Sequence, residues 1–421
     1  MSRIIEHFKA IAKIPHCSKQ TKALRDFLVD FGKQYGYNVE IDNVDNILIY
    51  KGKPHLALQA HYDMVCMGDA PNIEVYEENG WLKAKNSSLG ADNGIAIAMM
   101  MVLIEEGYEL EFLLTSDEEI GLIGANGVEF ELQSRYMLNL DSESEGEVYI
   151  GCAGGIDIKA TKSMKMISND LDCYEVSISD LPGGHSGVDI DKNIPNAIIQ
   201  LAQFLHEQDV SLISIGGGER INSIPANAKA VISGKNIEHI KSDNVTITQI
   251  ENQSYKFEES IISHIAAFGH GVLKFNDELG IPQISQNLAI VHSEEDRLTI
   301  EVSIRAMSID ELDLQAKVTA DYFRDAGYEV DKRDKYPAWN PEKNELTTLI
   351  TQKTDEVLGK SAYKAIHAGL ECGVLKQKYP HILFASIGPT IIYPHSTREA
   401  VNLESIKKTF EVLKKIIQEA A

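Results

Sequence analysis

The stretch Gln59-Ala60-His61-Tyr62-Asp63 ends an apolar run that begins at His55, and it predicts the edge of a buried sheet. Side chains alternate along a strand, so His61 and Asp63 are expected on the same side of its carboxyl end. Ligands bind at that edge of open α/β sheets, and a metal-bound histidine needs a partner that orients its ring. His61 is therefore a candidate metal ligand, with Asp63 as the carboxylate that holds it. A hydrogen-bonded structural pair is the alternative interpretation.

Acidic residues follow other predicted elements in the same way. The segment Ser116-Asp117-Glu118-Glu119 comes directly after one apolar strand, and Asp141 comes directly after another. Asp92 lies between glycines at the start of an apolar helix, where free backbone N–H groups favour a carboxylate. An N-cap would explain Asp92 alone, and a solvated face would explain Glu118-Glu119 alone. Acidic groups at the ends of several strands indicate instead ligands presented along one sheet edge.

A second histidine, His395, follows the strand predicted for residues 382–386 at the same edge. The candidate metal ligands are thus His61, Asp92, Glu119, Asp141 and His395. Two imidazoles and three carboxylates suit Zn²⁺, with Mn²⁺ or Co²⁺ as substitutes. Five ligands exceed the needs of one open tetrahedral zinc and fit two ions roughly 3.5–4 Å apart that share a carboxylate.

The adjacent residues Glu118 and Glu119 can divide two tasks between them. Consecutive side chains diverge on extended or turning backbone, so one can bind metal while its neighbour takes and returns a proton. The residue pattern alone does not choose between them. We favour Glu119 as the ligand and Glu118 as the general base.

The bulk composition restricts the partners and the location. A formal charge of -23 argues against nucleic acid and anionic membrane as partners. The longest apolar run, Ile95 to Ile104, is too short to span a bilayer, and the first residues lack the layout of a secretory signal. Five cysteines without repeated spacing suit reduced thiols. A cytoplasmic location is therefore expected.

The chain of 421 residues is too long for one ordinary core, so two domains are expected. The composition changes around Ala153-Gly154-Gly155, and alternating strands with helical segments such as 258–273 then follow. The expected architecture is an α/β catalytic domain over 1–154 and 336–421, with a mixed, mostly parallel sheet flanked by helices. An α+β domain over 155–335 is inserted into it.

Five motifs resemble the metal-site motifs of the dinuclear-zinc M20 metallopeptidases, in order and spacing, across nearly the whole chain. They are His61-Tyr62-Asp63, Gly90-Ala91-Asp92-Asn93-Gly94, Ser116-Asp117-Glu118-Glu119-Ile120-Gly121, Asp141-Ser142-Glu143 and Pro394-His395-Ser396. The longer strings around Tyr149–Gly155, Gly183–Gly187 and His367–Gly373 resemble the aminoacyl-histidine (Xaa-His) dipeptidase branch of that family. The resemblance implies a zinc-peptidase fold.

The resemblance also implies how the ligands divide between two ions. Asp92 would bridge both metals, with His61 and Asp141 completing one site and Glu119 and His395 the other. It implies Glu118 as the general base and a cis peptide bond between Asp92 and Asn93. The last motif continues as Thr397-Arg398 where Pro-Asp is frequent in the family, which leaves the ligands intact and puts details of the substrate rim in doubt.

Substrate-binding residues are implied by the same resemblance. Asp141 in place of glutamate resembles the aminopeptidase and dipeptidase branches, whose substrates carry a free α-amine. Arg305 resembles the family's carboxylate-binding arginine, whose planar fork suits a bidentate contact, and a surface ion pair is the alternative. His185, otherwise a structural histidine, would stabilise the oxyanion, often from the partner subunit. Asn222 resembles a second substrate contact, and Gly369 and Thr390 are candidates for binding the substrate carboxylate.

The expected function is a metal-dependent dipeptidase acting on dipeptides with a free N-terminus, of the Xaa-His type and more broadly. A hydroxide held by two zinc ions would attack the peptide carbonyl, with Glu118 as general base. The inserted domain is expected to act as a lid and as the surface of a homodimer. Alternatives are an aminotripeptidase, an N-acyl amino acid deacylase, and a non-catalytic peptide- or metal-binding protein. Glu118 argues against a binding protein, because a storage site has no use for an unliganded base.

Overall fold

The computed structural model describes residues 1–235, 237, 244–258 and 261–420. The chain forms two compact units. The first comprises Met1–Cys152, Trp339–Ala365 and Leu370–Ala421, and the second comprises Ala153–Ala338 and Ile366–Gly369. The first unit is therefore assembled from three separate stretches of sequence.

The secondary structure of the described residues alternates between helices and strands. The α-helices are α1 (Ser2–Ile11), α2 (Lys22–Gln34), α3 (Ala91–Glu105), α4 (Ile123–Gly127), α5 (Ala197–His206), α6 (Ile262–Ala266), α7 (Ile309–Asp325), α8 (Glu345–Leu358), α9 (Glu371–Lys378) and α10 (Leu403–Ala420). The strands are β1 (Asn38–Ile41), β2 (Ile47–Tyr50), β3 (Leu56–His61), β4 (Val75–Glu78), β5 (Trp81–Ala84), β6 (Glu111–Thr115), β7 (Tyr136–Asn139), β8 (Glu147–Cys152), β9 (Gly154–Ser163), β10 (Met166–Ser168), β11 (Cys173–Ile178), β12 (Gly184–His185), β13 (Val210–Gly217), β14 (Ser223–Ile224), β15 (Ala228–Gly234), β16 (Val245–Ile250), β17 (Tyr255–Phe257), β18 (Gly271–Asn276), β19 (Ile281–Glu294), β20 (Arg297–Ala306), β21 (Glu329–Tyr336), β22 (Ala362–Ile366), β23 (Leu383–Ser386), β24 (Ile391–Ile392) and β25 (Ala400–Asn402). None of these helices has both the length and the apolar character that a membrane crossing requires.

The first unit is built on an eight-stranded sheet with the order β1-β2-β6-β3-β7-β23-β8-β22. Its central strands β6, β3, β7 and β23 are parallel neighbours, and antiparallel strands flank them. Every residue of β3 is buried, as expected for a parallel strand covered on both faces. The four parallel strands end along one edge, where ligands of α/β proteins bind. This mixed α/β architecture confirms the predicted fold class.

Helix α3 is apolar around its whole circumference, and all but two of its residues are buried. A helix of this kind has to be covered on every side. Helix α1 packs against it, and Gly94 makes the approach close, because a Cβ there would lie 3.1 Å from Cε2 of Phe8. The start of α3, which carries Asp92, is thus fixed by packing within the core.

The sequence analysis predicted that His395 follows a strand of the main sheet. The structure corrects this prediction, because another strand lies between that strand and His395. Strand β23 ends at Ser386, and the chain then forms β24, which belongs to a separate sheet with the order β24-β25-β5-β4. The backbone N–H of Ile391 donates to the carbonyl of Glu143 at 3.1 Å, which ties β24 to the segment that follows β7. His395 therefore lies in the turn between β24 and β25, two strands of a second sheet in the same unit.

The second unit contains a nine-stranded sheet with the path β16-β11-β15-β13-β19-β20-β9-β21, and β18 pairs with β19. Helices α5 and α7 pack on the sheet, so the unit is of the α+β type. The helix predicted for residues 258–273 is shorter than expected. Helix α6 ends at Ala266, and β18 forms instead because it pairs with β19. Residues 259–260 of that prediction lie outside the described residues.

Two of the cysteines are not free thiols. Cys17 and Cys66 form a disulfide with their Cα atoms 5.5 Å apart, so the expectation of reduced thiols is wrong for this pair. A parallel bridge between Cys17 and Met64 brings the two segments together, and no regularity in the cysteine spacing signals it. Cys152, Cys173 and Cys372 are free and buried.

Candidate metal centre

Three of the candidate positions lie at the ends of neighbouring parallel strands. His61 is the last residue of β3, and it is paired in register with Thr115, the last residue of β6. The segment containing Glu118 and Glu119 follows Thr115, and Asp141 follows β7 on the other side of β3. Parallel pairing therefore brings these side chains to one edge of the sheet, as their positions after apolar strands predicted.

Asp92 reaches the same edge from the first turn of α3. The backbone leaves the helical conformation at Asp92, with φ -82° and ψ 102°, and at Asn93, and the peptide bond between them is cis. Gly90 precedes this turn with φ +70°, where a Cβ would lie 2.9 Å from Sδ of Met64. The positive φ therefore favours glycine at residue 90.

A single carboxylate lies between two imidazoles. Oδ1 of Asp92 is 3.1 Å from Nε2 of His61, and Oδ2 of Asp92 is 3.1 Å from Nε2 of His395. Asp141 completes the first group, with Oδ1 3.2 Å from Nε2 of His61. Glu119 completes the second, with Oε1 2.9 Å from Nε2 of His395. The result is two clusters of possible ligand atoms, each within 4.8 Å, that share Asp92.

The electrostatics of this cluster fit bound cations. The side chains of Glu119 and Asp141 are only 6% and 8% exposed, so their negative charges lie close together out of water. Burial raises the pKa of Asp141 to about 6. Hydrogen bonds with Asp92 and Glu119 raise the pKa of His395 to about 11, which reflects the negative charge gathered around its ring. The mixed nitrogen and oxygen donor set suits two zinc ions that share one carboxylate.

Asp63 lies behind His61 and fixes two parts of the cluster. Nδ1 of His61 is 3.0 Å from the backbone oxygen of Asp63 and 3.5 Å from its carboxylate, which leaves Nε2 facing Asp92. The carboxylate of Asp63 also accepts the backbone N–H of Glu118 at 2.9 Å and the hydroxyl of Ser18 at 2.7 Å. Asp63 therefore orients the imidazole chiefly through its backbone oxygen, and its buried carboxylate holds the turn that carries the adjacent glutamates.

Glu118 and Glu119 differ in their neighbours. Glu119 lies against His395, whereas Glu118 groups with His61 and Glu119 and is in neither cluster that contains Asp92. The two residues begin a short 3₁₀ helix after Asp117, whose φ of +47° turns the chain. Burial raises the pKa of Glu118 well above its usual value. A carboxylate beside the ligands whose pKa is raised is a stronger base and is therefore suited to accept a proton.

Sequence reasoning missed a further carboxyl group, Glu371, which is fully buried in the first unit. One of its oxygens accepts hydrogen bonds from the amide of Gln59 and the hydroxyl of Thr115, at the ends of β3 and β6. Burial raises the pKa of Glu371 to about 7. A lone acid within the string Ala368-Gly369-Leu370-Glu371-Cys372-Gly373 is the signal that could have marked it.

His185 lies in the second unit with its imidazole held in one tautomer. Its Nδ1 accepts the backbone N–H groups of Gly187 at 3.1 Å and Val188 at 3.2 Å, so the proton of the neutral ring is on Nε2. Burial, followed by the charge of Arg305, lowers the pKa of His185. The ring therefore presents an N–H donor. Asn222 lies beside it, because its backbone oxygen accepts the N–H of Ser186 at 2.9 Å.

Arg305 does not form the surface ion pair that was the alternative interpretation. It lies on β20 and is only 8% exposed, so it is not a surface group. Its guanidinium donates to the hydroxyl of Tyr336. Gly369 lies on the same tyrosine, since a Cβ at residue 369 would be 2.9 Å from Cε2 of Tyr336. Arg305 and Gly369 therefore share one neighbourhood in the second unit.

Thr390 lies in the first unit and is engaged with the start of α10. Its backbone N–H donates to the hydroxyl of Ser405 at 2.7 Å, and that hydroxyl donates to the Thr390 hydroxyl at 3.3 Å. These contacts give Thr390 a structural role at the helix terminus. Its contact with a substrate carboxylate stays a prediction.

Comparison with known proteins gives consistent results. The model of peptidase family M20/M25/M40 matches residues 57–419. The cytosol non-specific dipeptidase of Escherichia coli is 32% identical over 466 aligned positions, covering 98% of this chain and 96% of that protein. The crystal structure of an aminoacylhistidine dipeptidase from Vibrio alginolyticus superposes with a TM-score of 0.87 at 29% identity, covering 99% and 96% of the two chains. A tripeptidase from Staphylococcus aureus has a TM-score of 0.63 at 16% identity, covering 100% and 98%, which shows a shared fold.

Proposed function

The chain belongs to peptidase family M20/M25/M40, and on this basis we propose that it is a dipeptidase that uses two metal ions, zinc in the first instance. The observation that carries the proposal is Asp92, whose two carboxylate oxygens each face a different histidine at 3.1 Å. We include in the proposal the cleavage of Xaa-His dipeptides and of other dipeptides, in line with the names aminoacylhistidine dipeptidase and non-specific dipeptidase, and a cytoplasmic location, in line with the name of the cytosol enzyme.

Five residues would hold the metals. His61 and Asp141 would bind one ion, Glu119 and His395 the other, and Asp92 would bind both. The bound ions would polarise the peptide carbonyl and lower the pKa of a water molecule. Asp63 keeps Nδ1 of His61 occupied, so that Nε2 is the atom available for binding.

The chain's own residues would move the protons and hold the substrate. Glu118 would take a proton from the attacking water and return it to the leaving amine. Nε2–H of His185 would donate to the carbonyl oxygen as negative charge develops there. Arg305 would bind the substrate carboxylate through its guanidinium. The second unit would thus supply substrate contacts, act as a lid and form the homodimer surface, with Asn222 and Gly369 as further contacts.

Rates on three related substrates will test the substrate class. We expect a dipeptide with a free N-terminus to be cleaved with a kcat/KM at least about tenfold above that of its N-acetylated form, since an ammonium group is attracted to the carboxylate cluster. Its one-residue extension should also be slower, because each added residue moves the carboxylate by up to about 3.5 Å away from Arg305. Steady-state kinetics with the zinc-loaded protein measures both ratios. A faster tripeptide or a faster acetylated substrate would select one of the rival enzyme functions.

Replacing Arg305 with alanine should weaken the binding of the substrate carboxylate. A charged hydrogen bond contributes about 1.5–3 kcal/mol, so KM for the dipeptide should rise by about 10- to 100-fold. The matched control is Arg297→Ala, at the exposed start of the same strand β20. A dipeptide amide, which lacks the carboxylate, should be cleaved by Arg305→Ala about as well as by the wild type. An equal loss on the acid and on the amide would show that Arg305 does not bind the carboxylate.

A further inference from the structure

Glu399 is a buried carboxylate, 3% exposed, that accepts hydrogen bonds from four consecutive backbone N–H groups. Its Oε2 accepts the N–H of Leu89 at 2.7 Å and of Gly90 at 3.0 Å. Its Oε1 accepts the N–H of Ala91 at 2.8 Å and of Asp92 at 3.2 Å. Both carboxylate oxygens are therefore used, and the last of the four donors is the backbone of Asp92 itself.

The N–H groups of Gly90, Ala91 and Asp92 belong to the start of α3, where a helix has donors without partners inside the helix, and that of Leu89 directly precedes them. The residue at the N-cap is Gly90, which has no side chain to accept them. Glu399, which is more than three hundred residues further along the chain, takes that role. The partial positive charge of the helix start favours a negative group at this place.

Glu399 also belongs to the loop that carries His395. Its own N–H donates to the carbonyl of Ser396 at 3.1 Å, which closes the short turn between His395 and β25. The side chain of this turn therefore holds the backbone of Asp92, while the imidazole of the same turn lies 3.1 Å from the Asp92 carboxylate. Two ligands that are distant in sequence are linked both through their functional groups and through Glu399.

We propose that Glu399 is a positioning residue of the metal centre, which fixes the backbone of Asp92 relative to the loop of His395. The inference rests on the proposed function, since it concerns the site that binds the metals. Groups that orient metal ligands typically change metal affinity by about 10- to 100-fold when they are mutated. Glu399 would orient Asp92 by binding its backbone N–H rather than its side chain.

The test variant is Glu399→Gln in the full chain. Glutamine has nearly the same shape, but its amide NH₂ would face two N–H donors and could accept from neither. We expect the apparent dissociation constant for zinc, measured by competition with a chromophoric chelator, to rise by about 10- to 100-fold. We also expect the visible absorption spectrum of the cobalt-loaded protein to change, because it reports the ligand geometry.

Glu111 provides the matched control. It is 1% exposed, and its carboxylate accepts the backbone N–H groups of Gln133 at 2.8 Å and Ser134 at 3.0 Å. It lies at the first residue of β6, at the opposite end of that strand from the glutamates of the candidate site. Glu111→Gln should lower the melting temperature while the zinc affinity and the cobalt spectrum stay those of the wild type.

Each outcome decides a different point. A zinc affinity of Glu399→Gln equal to that of Glu111→Gln, with an unchanged cobalt spectrum, overturns the positioning role alone. A wild-type protein that takes up no zinc overturns the proposed function together with this inference. If Glu399→Gln does not fold, Glu399→Asp is measured in the same way, because its carboxylate is one methylene short of the four donors. Weakened zinc binding then supports the proposal, and unchanged binding overturns it.

Discussion

Replacing Glu118 with glutamine should lower kcat by about 10²- to 10⁴-fold while two zinc ions remain bound. The amide has the shape of the carboxyl group but cannot accept the proton of the attacking water. The substitution should leave the position of the backbone unchanged, because the carboxylate of Asp63 binds the backbone N–H of Glu118 and not its side chain. The expected phenotype is therefore a metal-loaded protein that binds peptide and cleaves it very slowly.

The measurement combines kinetics with metal analysis of the same preparation. Glu119→Gln serves as the contrast, since Glu119 lies 2.9 Å from His395. This variant should lose zinc and should therefore also lose activity. A Glu118→Gln protein that retains the wild-type rate would contradict the assignment of the base. Absence of cleavage by the wild-type zinc protein would instead favour the peptide- or metal-binding alternative.

Replacing Asp92 with alanine should affect metal binding more strongly than replacing Glu118 with glutamine. It removes the one carboxylate that faces both histidines, so neither group would keep its full set of ligands. We expect both zinc ions to be lost at micromolar protein concentration, and kcat/KM to fall by more than about 10³-fold, since metal ions supply several kcal/mol of transition-state stabilisation.

Zinc content after gel filtration and peptide cleavage at saturating zinc would measure this effect. A suitable control is Asp42→Asn, because Asp42 binds the backbone N–H groups of Val44 and Asn46 in a turn of the same unit. That variant should keep both ions. Retention of two zinc ions by Asp92→Ala would show that Asp92 does not bridge the metals.

The sequence predicted the sheet and its ligand-bearing edge because the local pattern carries the information. Apolar strands that stop at a histidine or an acid place those residues at one edge of a parallel sheet, as happens for His61 and Asp141. The division of roles between Glu118 and Glu119 was not in the pattern, since adjacent residues differ only in direction. The family resemblance supplied that division, and the contact of Glu119 with His395 supports it.

Other features depend on contacts that no local pattern encodes. Glu399 looks like an ordinary loop acid until α3 lies beside it. Cys17 and Cys66 are 49 positions apart, and the pairing of Cys17 with Met64 brings their segments together. The helix expected up to residue 273 gives way to β18 because a strand partner is available in β19. In each case a segment that is distant in sequence decides the local structure or contact.

The position of β23 has a consequence for synthesis on the ribosome. Strands β7 and β8 are neighbours in the sequence, yet β23 lies between them in the sheet. In a nascent chain that has emerged only as far as the second unit, β23 is missing, so the edges of β7 and β8 that would pair with it are exposed. Those edges invite pairing with other chains until the last segment is translated, so a premature stop codon before residue 383 should yield an aggregating product rather than a smaller folded enzyme.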